Sequence, residues 1–191
     1  MDIFAFALLL TIVGLVGYVI LAYNRLVRLR HNVKTAWSNI DVLLKQRHDE
    51  LPKLVTTCRQ YMTYERDTLE RVVQARAQVS SAMDSGNMAE LGVAESIMSN
   101  TLGRLFALTE SYPELKSDGA FMRLQSRISS LEDAIADRRE YYNDSVNINN
   151  IVVDEFPTNI ISGKFNFSQA QHFEVSEREL ADVNLDKLFA A

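Results

Sequence analysis

The apolar positions of the chain begin with an uninterrupted run. Ile3 to Tyr23 contains 21 residues and no charged side chain. As a helix with a rise of about 1.5 Å per residue, the run spans roughly 31 Å, the thickness of the hydrocarbon core of a bilayer. A cleaved signal peptide would have a basic segment before a shorter apolar run. Here the apolar run is longer, and only Met1 and the acidic residue Asp2 precede it. The pattern therefore predicts that residues 1–23 are a transmembrane anchor.

After the anchor, apolar residues recur at steps of three and four, which is typical of amphipathic helices. One such face runs from Leu26 to Leu44, and a second runs from Leu51 to Val79. Pro52 lies between them and predicts a kink or a new helix start near residues 49–52. Residues 80–87 have the composition of a turn, so we expect the chain to reverse direction there for the first time.

Two further helices are predicted after this turn, one near residues 91–108 and one from Phe121 to Phe156. The early half of the last helix has an apolar seam. Its later half carries polar residues at the seam positions. Inside a bundle such residues would specify the helix register or bind another molecule, but we favour the interpretation that they mark where the helix leaves the core. Short connections favour antiparallel packing. The predicted fold class is all-α, with an elongated antiparallel three- or four-helix bundle over residues 24–157. The polar seam residues are Arg138, Ser145 and Asn149.

The helical periodicity is lost after Pro157, and residues 158–191 are predicted to be an extended, non-helical C-terminal tail. We expect its phenylalanines to pack back onto the bundle. The alternative is a linear segment that adds to another subunit or to a partner. The candidate partner contacts are Asn149, Phe165, Phe167 and Phe173.

Basic residues follow the apolar run directly, whereas the other flank has Asp2 and the amino terminus. The positive-inside rule therefore predicts a single-pass protein of the inner membrane with a cytoplasmic C-terminal body. Membrane lipid is the first expected partner, because these cations would lie among the headgroups. The membrane-interface candidates are Arg25, Arg28, Arg30 and Lys34.

The sequence contains no recognisable catalytic motif. The three histidines lack metal-ligand spacing, the single cysteine lies on an apolar helix face, and phosphate-binding glycine loops are missing. We therefore predict no catalytic residues, no metal and no cofactor. The acidic groups at Glu65–Asp67 and Glu132–Asp133 are expected to face solvent. An enzyme that uses Glu65 and Asp67 remains an alternative, and it would require a pocket that joins them to another ionisable group.

The charge distribution is uneven. The net charge is −5, which disfavours nucleic acid as a partner. Residues 24–80 carry 11 basic and 6 acidic side chains, and residues 81–153 carry 6 basic and 11 acidic side chains. These opposed halves attract each other within one bundle and equally between copies, so a homo-oligomer is expected.

Several ordered motifs between about residues 23 and 173 resemble the LemA family. This resemblance implies a membrane helix followed by a long antiparallel bundle, no established catalytic activity, and relatives associated with magnetosome membranes or membrane proteases. Tyr64 stands where relatives usually have His, and Ile148-Asn149 replaces a usual Tyr-Asn pair. The motifs are Tyr23–Arg30, Ala36–Val42, Leu51–Val55, Glu65–Glu70, Tyr112–Lys116, Phe121–Gln125, Tyr142–Asn143 and Phe156–Pro157.

These observations predict a non-enzymatic, self-associating scaffold at the membrane. The alternative is a membrane-bound adaptor for a membrane-protein partner such as a protease.

Overall fold

The structure is a computed structural model that describes residues 3–175. All regular elements in this range are α-helices, which confirms the predicted all-α class. The helices are α1 (Ile3–Tyr61), α2 (Arg66–Ser85), α3 (Met88–Thr109), α4 (Pro113–Ser117), α5 (Gly119–Asp154) and α6 (Thr158–Lys164).

The first helix is longer than predicted. It continues through Pro52 to Tyr61, and no new helix starts at the proline. Proline lacks the N–H that would bond the carbonyl four residues earlier, which here belongs to His48. The Arg76 side chain of α2 donates its Nε–H to this carbonyl at 3.0 Å. A partner on a neighbouring helix thus replaces the hydrogen bond that Pro52 removes.

The first chain reversal lies at residues 62–65 rather than at residues 80–87, so that prediction was wrong. The segment Met62-Thr63-Tyr64-Glu65 contains no Gly or Pro, which explains why the pattern gave no signal. A turn does occur in the predicted region, where Gly86 adopts a left-handed φ of 68° after α2. Asn87 then caps α3 by accepting the backbone N–H groups of Ala89 and Glu90.

The described residues divide into two compact units. Unit 1 contains residues 3–41 and 137–172, which are the first part of α1, the last part of α5, and α6. Unit 2 contains residues 42–136 and 173–175, which include α2, α3 and α4. The apolar core of unit 2 includes Leu44, Leu51, Leu54, Met62, Leu69, Val72, Leu91, Met98, Leu105, Phe121 and Ile128.

The start of the tail differs from the prediction, since residues 158–164 form the short helix α6. Its apolar residue Ile161 is buried, and tertiary packing of this kind stabilises a helix too short to form alone. Phe167 and Phe173 are buried, as expected for a tail that packs back onto the helices. The prediction of an extended tail for residues 176–191 lies outside the described residues.

Candidate functional site

The first candidate site is the basic flank, which we define as Arg25, Arg28, Arg30 and Lys34. All four side chains are exposed on α1. They directly follow the apolar stretch of α1, which is long and apolar enough to cross a membrane and whose most apolar window is not buried by the rest of the described chain. An exposed apolar stretch followed by exposed cations fits a membrane protein.

An aromatic cluster lies beside the basic flank. The ring of Tyr23 packs edge to face against Phe165, at 5.0 Å between centroids, and against Phe167, at 5.6 Å. The guanidinium of Arg30 lies 4.8 Å from the centre of the Phe167 ring, within the range of a cation–π interaction. The tail therefore packs against α1 where α1 leaves its apolar stretch.

Apolar residues from α1, α5, α6 and the tail form one buried cluster in unit 1. The hydroxyl groups of Tyr18 and Thr158 lie 3.5 Å apart, which places the start of α6 beside the apolar stretch of α1. The cluster consists of Ala22, Leu26, Val152, Val153, Ile161 and Phe167.

Asn150 holds the tail in place through two hydrogen bonds that the sequence pattern did not predict. Its Nδ2 donates to the carbonyl of Ala170 at 2.9 Å, and its Oδ1 accepts the N–H of Ala170 at 2.8 Å. The Tyr142 hydroxyl donates to the carbonyl of Gln171 at 2.8 Å. Burial raises the pKa of this Tyr142 hydroxyl, so it stays protonated and able to donate.

Most of the predicted partner contacts are buried within the chain. Asn149 is 4% exposed and donates from Nδ2 to Oδ1 of Asn150 at 3.1 Å, so the helix does not leave the core at this position. Phe173 is fully buried, and Phe167 belongs to the apolar cluster of unit 1. This burial argues against partner contacts at Asn149, Phe167 and Phe173, whereas Phe165 remains about half exposed.

Unit 2 contains a buried charged cluster, which we call the Arg47 cluster. Arg47 is 2% exposed and forms hydrogen-bonded ion pairs with Glu95 of α3 and Glu132 of α5. Burial acts to lower the pKa of the guanidinium, but the attraction of the two carboxylates outweighs it and raises the pKa. Ser99 also donates to Glu132 at 2.7 Å. The expectation that Glu132 faces solvent was therefore wrong, while Asp133 is exposed.

The carboxylates near the α1–α2 turn have structural partners. Glu65 is half-buried and accepts the Tyr112 hydroxyl at 3.2 Å, while Asp67 is exposed in the first turn of α2. A negative charge at that position stabilises a helix through its dipole. Burial, followed by the bond to Glu65, raises the pKa of the Tyr112 hydroxyl. These contacts explain Glu65 and Asp67 without a reaction.

The remaining candidates for chemistry are isolated. Within residues 3–175, no group of three or more His, Cys, Asp or Glu side chains is arranged to hold a metal ion. Burial raises the pKa of the Cys58 thiol to about 12, which keeps the sulfur in its unreactive protonated form. His31 and His172 are exposed, and His48 is half-buried.

Comparisons with known proteins bear directly on this architecture. The family model described as LemA family matches residues 36–186. The chain is 28% identical over 166 residues to Protein LemA of Metamycoplasma hominis, an alignment that covers 86% of this chain and 74% of that protein.

Magnetosome proteins are also similar to the chain. It is 24% identical over 189 residues to Magnetosome protein MamQ 2 of Paramagnetospirillum magneticum, with 86% of this chain and 69% of the relative covered. It is 21% identical over 187 residues to Magnetosome protein MamQ of Magnetospirillum gryphiswaldense, with the same coverage of both chains. None of these three names refers to a catalysed reaction.

Proposed function

The chain belongs to the LemA family, and on that premise we propose that it is a non-enzymatic, membrane-anchored scaffold whose helical body self-associates. The observation that carries the proposal is α1, in which an exposed apolar stretch and the first helix of the body form one continuous helix. A protein built in this way displays a large helical surface at the membrane.

The ionisable groups of the body support a structural role. Enzymes shift pKa values where groups converge on a pocket. Here the shifted groups are engaged in the fold: Arg47 lies in a closed ion cluster, and Asp118 caps α5 by accepting the N–H groups of Ala120 and Phe121. Tyr61 donates to the same carboxylate at 2.9 Å, and this bond is the main cause of its raised pKa.

The proposed location is the inner membrane, with the body in the cytoplasm and the basic flank among the headgroups. Each cation there contributes about 1 kcal/mol of attraction to anionic lipid. Protease treatment of spheroplasts tests the orientation. We expect residues beyond the basic flank to be protected until the membrane is opened, and cleavage in intact spheroplasts would contradict a cytoplasmic body.

Self-association is proposed from the opposed charges of the two halves of the body. Exposed basic residues of the first half include Arg59, Arg66 and Arg71. Between copies, these side chains would attract the acidic second half over distances of about a Debye length.

The particle mass of the full chain in detergent tests self-association. We expect a mass of several chains, and we expect the Arg59→Glu, Arg66→Glu, Arg71→Glu variant to reduce it. The matched control replaces the same arginines with lysine, which keeps the charge and should keep the mass. A monomer in every sample would contradict the scaffold, and an unchanged oligomer after charge reversal would exclude charge pairing as its cause.

A second candidate function is an adaptor for a membrane-protein partner such as a protease. The observation that favours it is an apolar groove of about 540 Å³ between α2 and α3, lined in part by Ala82, Ala89, Val93 and Ile97. Val93 is exposed and lies midway between Ala89 and Ile97, the first and last α3 residues that line the groove. Val93→Glu should release a stoichiometric partner without changing the particle mass of the protein alone, whereas Val73→Glu, at an exposed residue outside that lining, should release nothing.

A further inference from the structure

Four large apolar side chains are exposed around the junction of α5 and α6, and we call them the apolar corner. They are Ile151 (56% exposed), Phe156 (77%), Ile160 (64%) and Phe165 (48%). Neighbouring residues in sequence belong to the buried cluster of unit 1. Exposed apolar groups gathered in one region mark a surface that binds another apolar phase.

Two contacts place the apolar corner beside the proposed membrane span. Thr158, the first residue of α6, approaches Tyr18, which lies five residues inside the apolar stretch that ends at Tyr23. Five helical residues correspond to a depth of about 7.5 Å. At the other end of α6, the ring of Phe165 packs against Tyr23 itself. The segment from Thr158 to Phe165, which carries Ile160, therefore runs along α1 from the level of Tyr18 to the level of Tyr23.

We propose that the apolar corner is a second membrane-binding element, which inserts into the leaflet from which α1 emerges. The inference rests on the proposed anchor, because the depth is measured along it. Interfacial amphipathic elements bury their apolar side chains about 5–10 Å into the boundary between headgroups and acyl chains. The occupant is lipid, because Tyr18 belongs to the proposed membrane span and the corner adds exposed apolar side chains at the same level.

The charges near the corner indicate how it binds. Asp154, Glu155 and Lys164 are exposed, and the Asp154 carboxylate accepts the Nε2–H of Gln169 at 2.6 Å. Within residues 151–165, two acidic groups and one basic group give no net attraction to anionic lipid, and the cations beside this segment belong to the basic flank of α1. Insertion is therefore driven by apolar burial. It should be independent of anionic lipid, unlike the contacts of the basic flank.

Tryptophan fluorescence in lipid vesicles tests the proposal with the full chain. Trp37 is the single tryptophan, so Trp37→Phe provides a dark background. In this background, Phe156→Trp is reconstituted in phosphatidylcholine vesicles whose acyl chains carry bromine near the headgroups. We expect bromine to quench most of its emission relative to unbrominated vesicles. The matched control is Tyr141→Trp, at an exposed position of α5 away from the corner, which should keep its emission.

Two further tryptophan positions make each outcome decisive. Ile160→Trp repeats the measurement within α6, so that a local defect at Phe156 does not decide the result. Leu9→Trp reports on the anchor. Because this position lies deeper in the proposed span, its quencher is phosphatidylcholine brominated at the ends of the acyl chains. If Leu9→Trp is quenched while both corner variants are not, the proposal is overturned and the anchor stands. If none is quenched, both are overturned.

Two other results would also overturn insertion by apolar burial. Quenching of the corner variants that requires phosphatidylglycerol would show that anionic lipid drives the contact. Blue-shifted corner emission that is unquenched by bromine and lost on dilution into excess lipid would show that a second copy covers the corner.

Discussion

Unit 1 is held together by apolar and aromatic contacts, whereas unit 2 encloses a charged cluster. The apolar cluster of unit 1 is closed by aromatic rings of the tail, and large apolar side chains beside it are exposed. In unit 2, Arg47 is buried with two carboxylates, and exposed large apolar residues such as Val42, Val73 and Met122 are scattered along the sequence.

The proposed insertion of the apolar corner would account for this difference. Exposed apolar side chains are costly in water but not in lipid, so in lipid unit 1 would need no further protein to cover its apolar corner. A buried charge is not stabilised by the surrounding solvent, because every group in the cluster must find its partner within the chain. The contrast can be tested by changing the contacts that each unit depends on.

The largest effect is expected from Arg47→Met, which leaves Glu95 buried without its cation. Breaking one partner of a buried ion pair costs about 3–5 kcal/mol of unfolding free energy. Denaturant unfolding of the detergent-solubilised protein measures this loss. Arg127→Met is the control, because Arg127 is exposed and donates to Gln46 at 3.2 Å, and its loss should cost less than about 0.5 kcal/mol. Equal losses for the two variants would show that unit 2 does not depend on the cluster.

The next effect is expected from Gly92→Ala in α3. A Cβ atom at this position would lie 1.9 Å from the carbonyl oxygen of Glu174, so the tail backbone must move away. Overpacking of this kind costs about 1–3 kcal/mol. A Cβ at Gly103 in the same helix would meet no other part of the described chain within 4 Å, so Gly103→Ala should stabilise the protein by up to about 1 kcal/mol. The same denaturation assay compares the two, and a stabilised Gly92→Ala variant would mean that the tail does not pack there.

A smaller, local effect is expected from Asn150→Asp in unit 1. The substitution replaces the Nδ2 donor with a carboxylate oxygen that faces the carbonyl of Ala170, and the lost bond is worth about 1 kcal/mol. Hydrogen exchange of residues 165–175 should become faster. Exposed Asn147 provides the control, because Asn147→Asp adds the same charge without touching the tail. Unchanged exchange in the Asn150→Asp variant would show that the two Asn150 bonds do not hold the tail.

The smallest effect concerns pH and the cap of α5. The backbone N–H of Phe121, then the Tyr61 hydroxyl and the N–H of Ala120, lower the pKa of Asp118. Its contribution to stability is therefore complete above the ordinary carboxyl pKa of about 3.9 and is lost as pH falls through the lower folded value. Asp118→Asn should lower the melting temperature at neutral pH, and the gap from the unaltered protein should narrow in acid. A gap that does not depend on pH would exclude the charge as its cause.

Much of the helical architecture was predictable, because the periodicity of apolar residues is local. The steps of three and four located α3 and α5 closely, and the polar residue Asn87 together with Gly86 marks the α2–α3 turn by ordinary capping chemistry. The turn at residues 62–65 was missed, because the apolar pattern continues across it from α1 into α2. A period shared by two helices does not reveal where one ends.

The candidate site was only partly predictable. Exposed cations after an apolar run are visible in sequence, and so the basic flank was identified. Asn150 was not identified, because its two bonds reach Ala170, 20 residues away, and nothing in the local pattern distinguishes it from Asn147. Glu95 was missed for a similar reason: a carboxylate on a helix is expected to face water unless a buried cation is known to meet it.

The sequence alone determined the apolar stretch of α1, the basic flank and the helical class, since each depends on residues close together along the chain. Tertiary structure decided the rest. Arg47 is buried because carboxylates 48 and 85 residues away neutralise it, and Pro52 is tolerated within α1 because Arg76 bonds the carbonyl that proline leaves without a partner. Such groups are stable only when residues of other helices contact them, and the local sequence pattern does not indicate which residues those are.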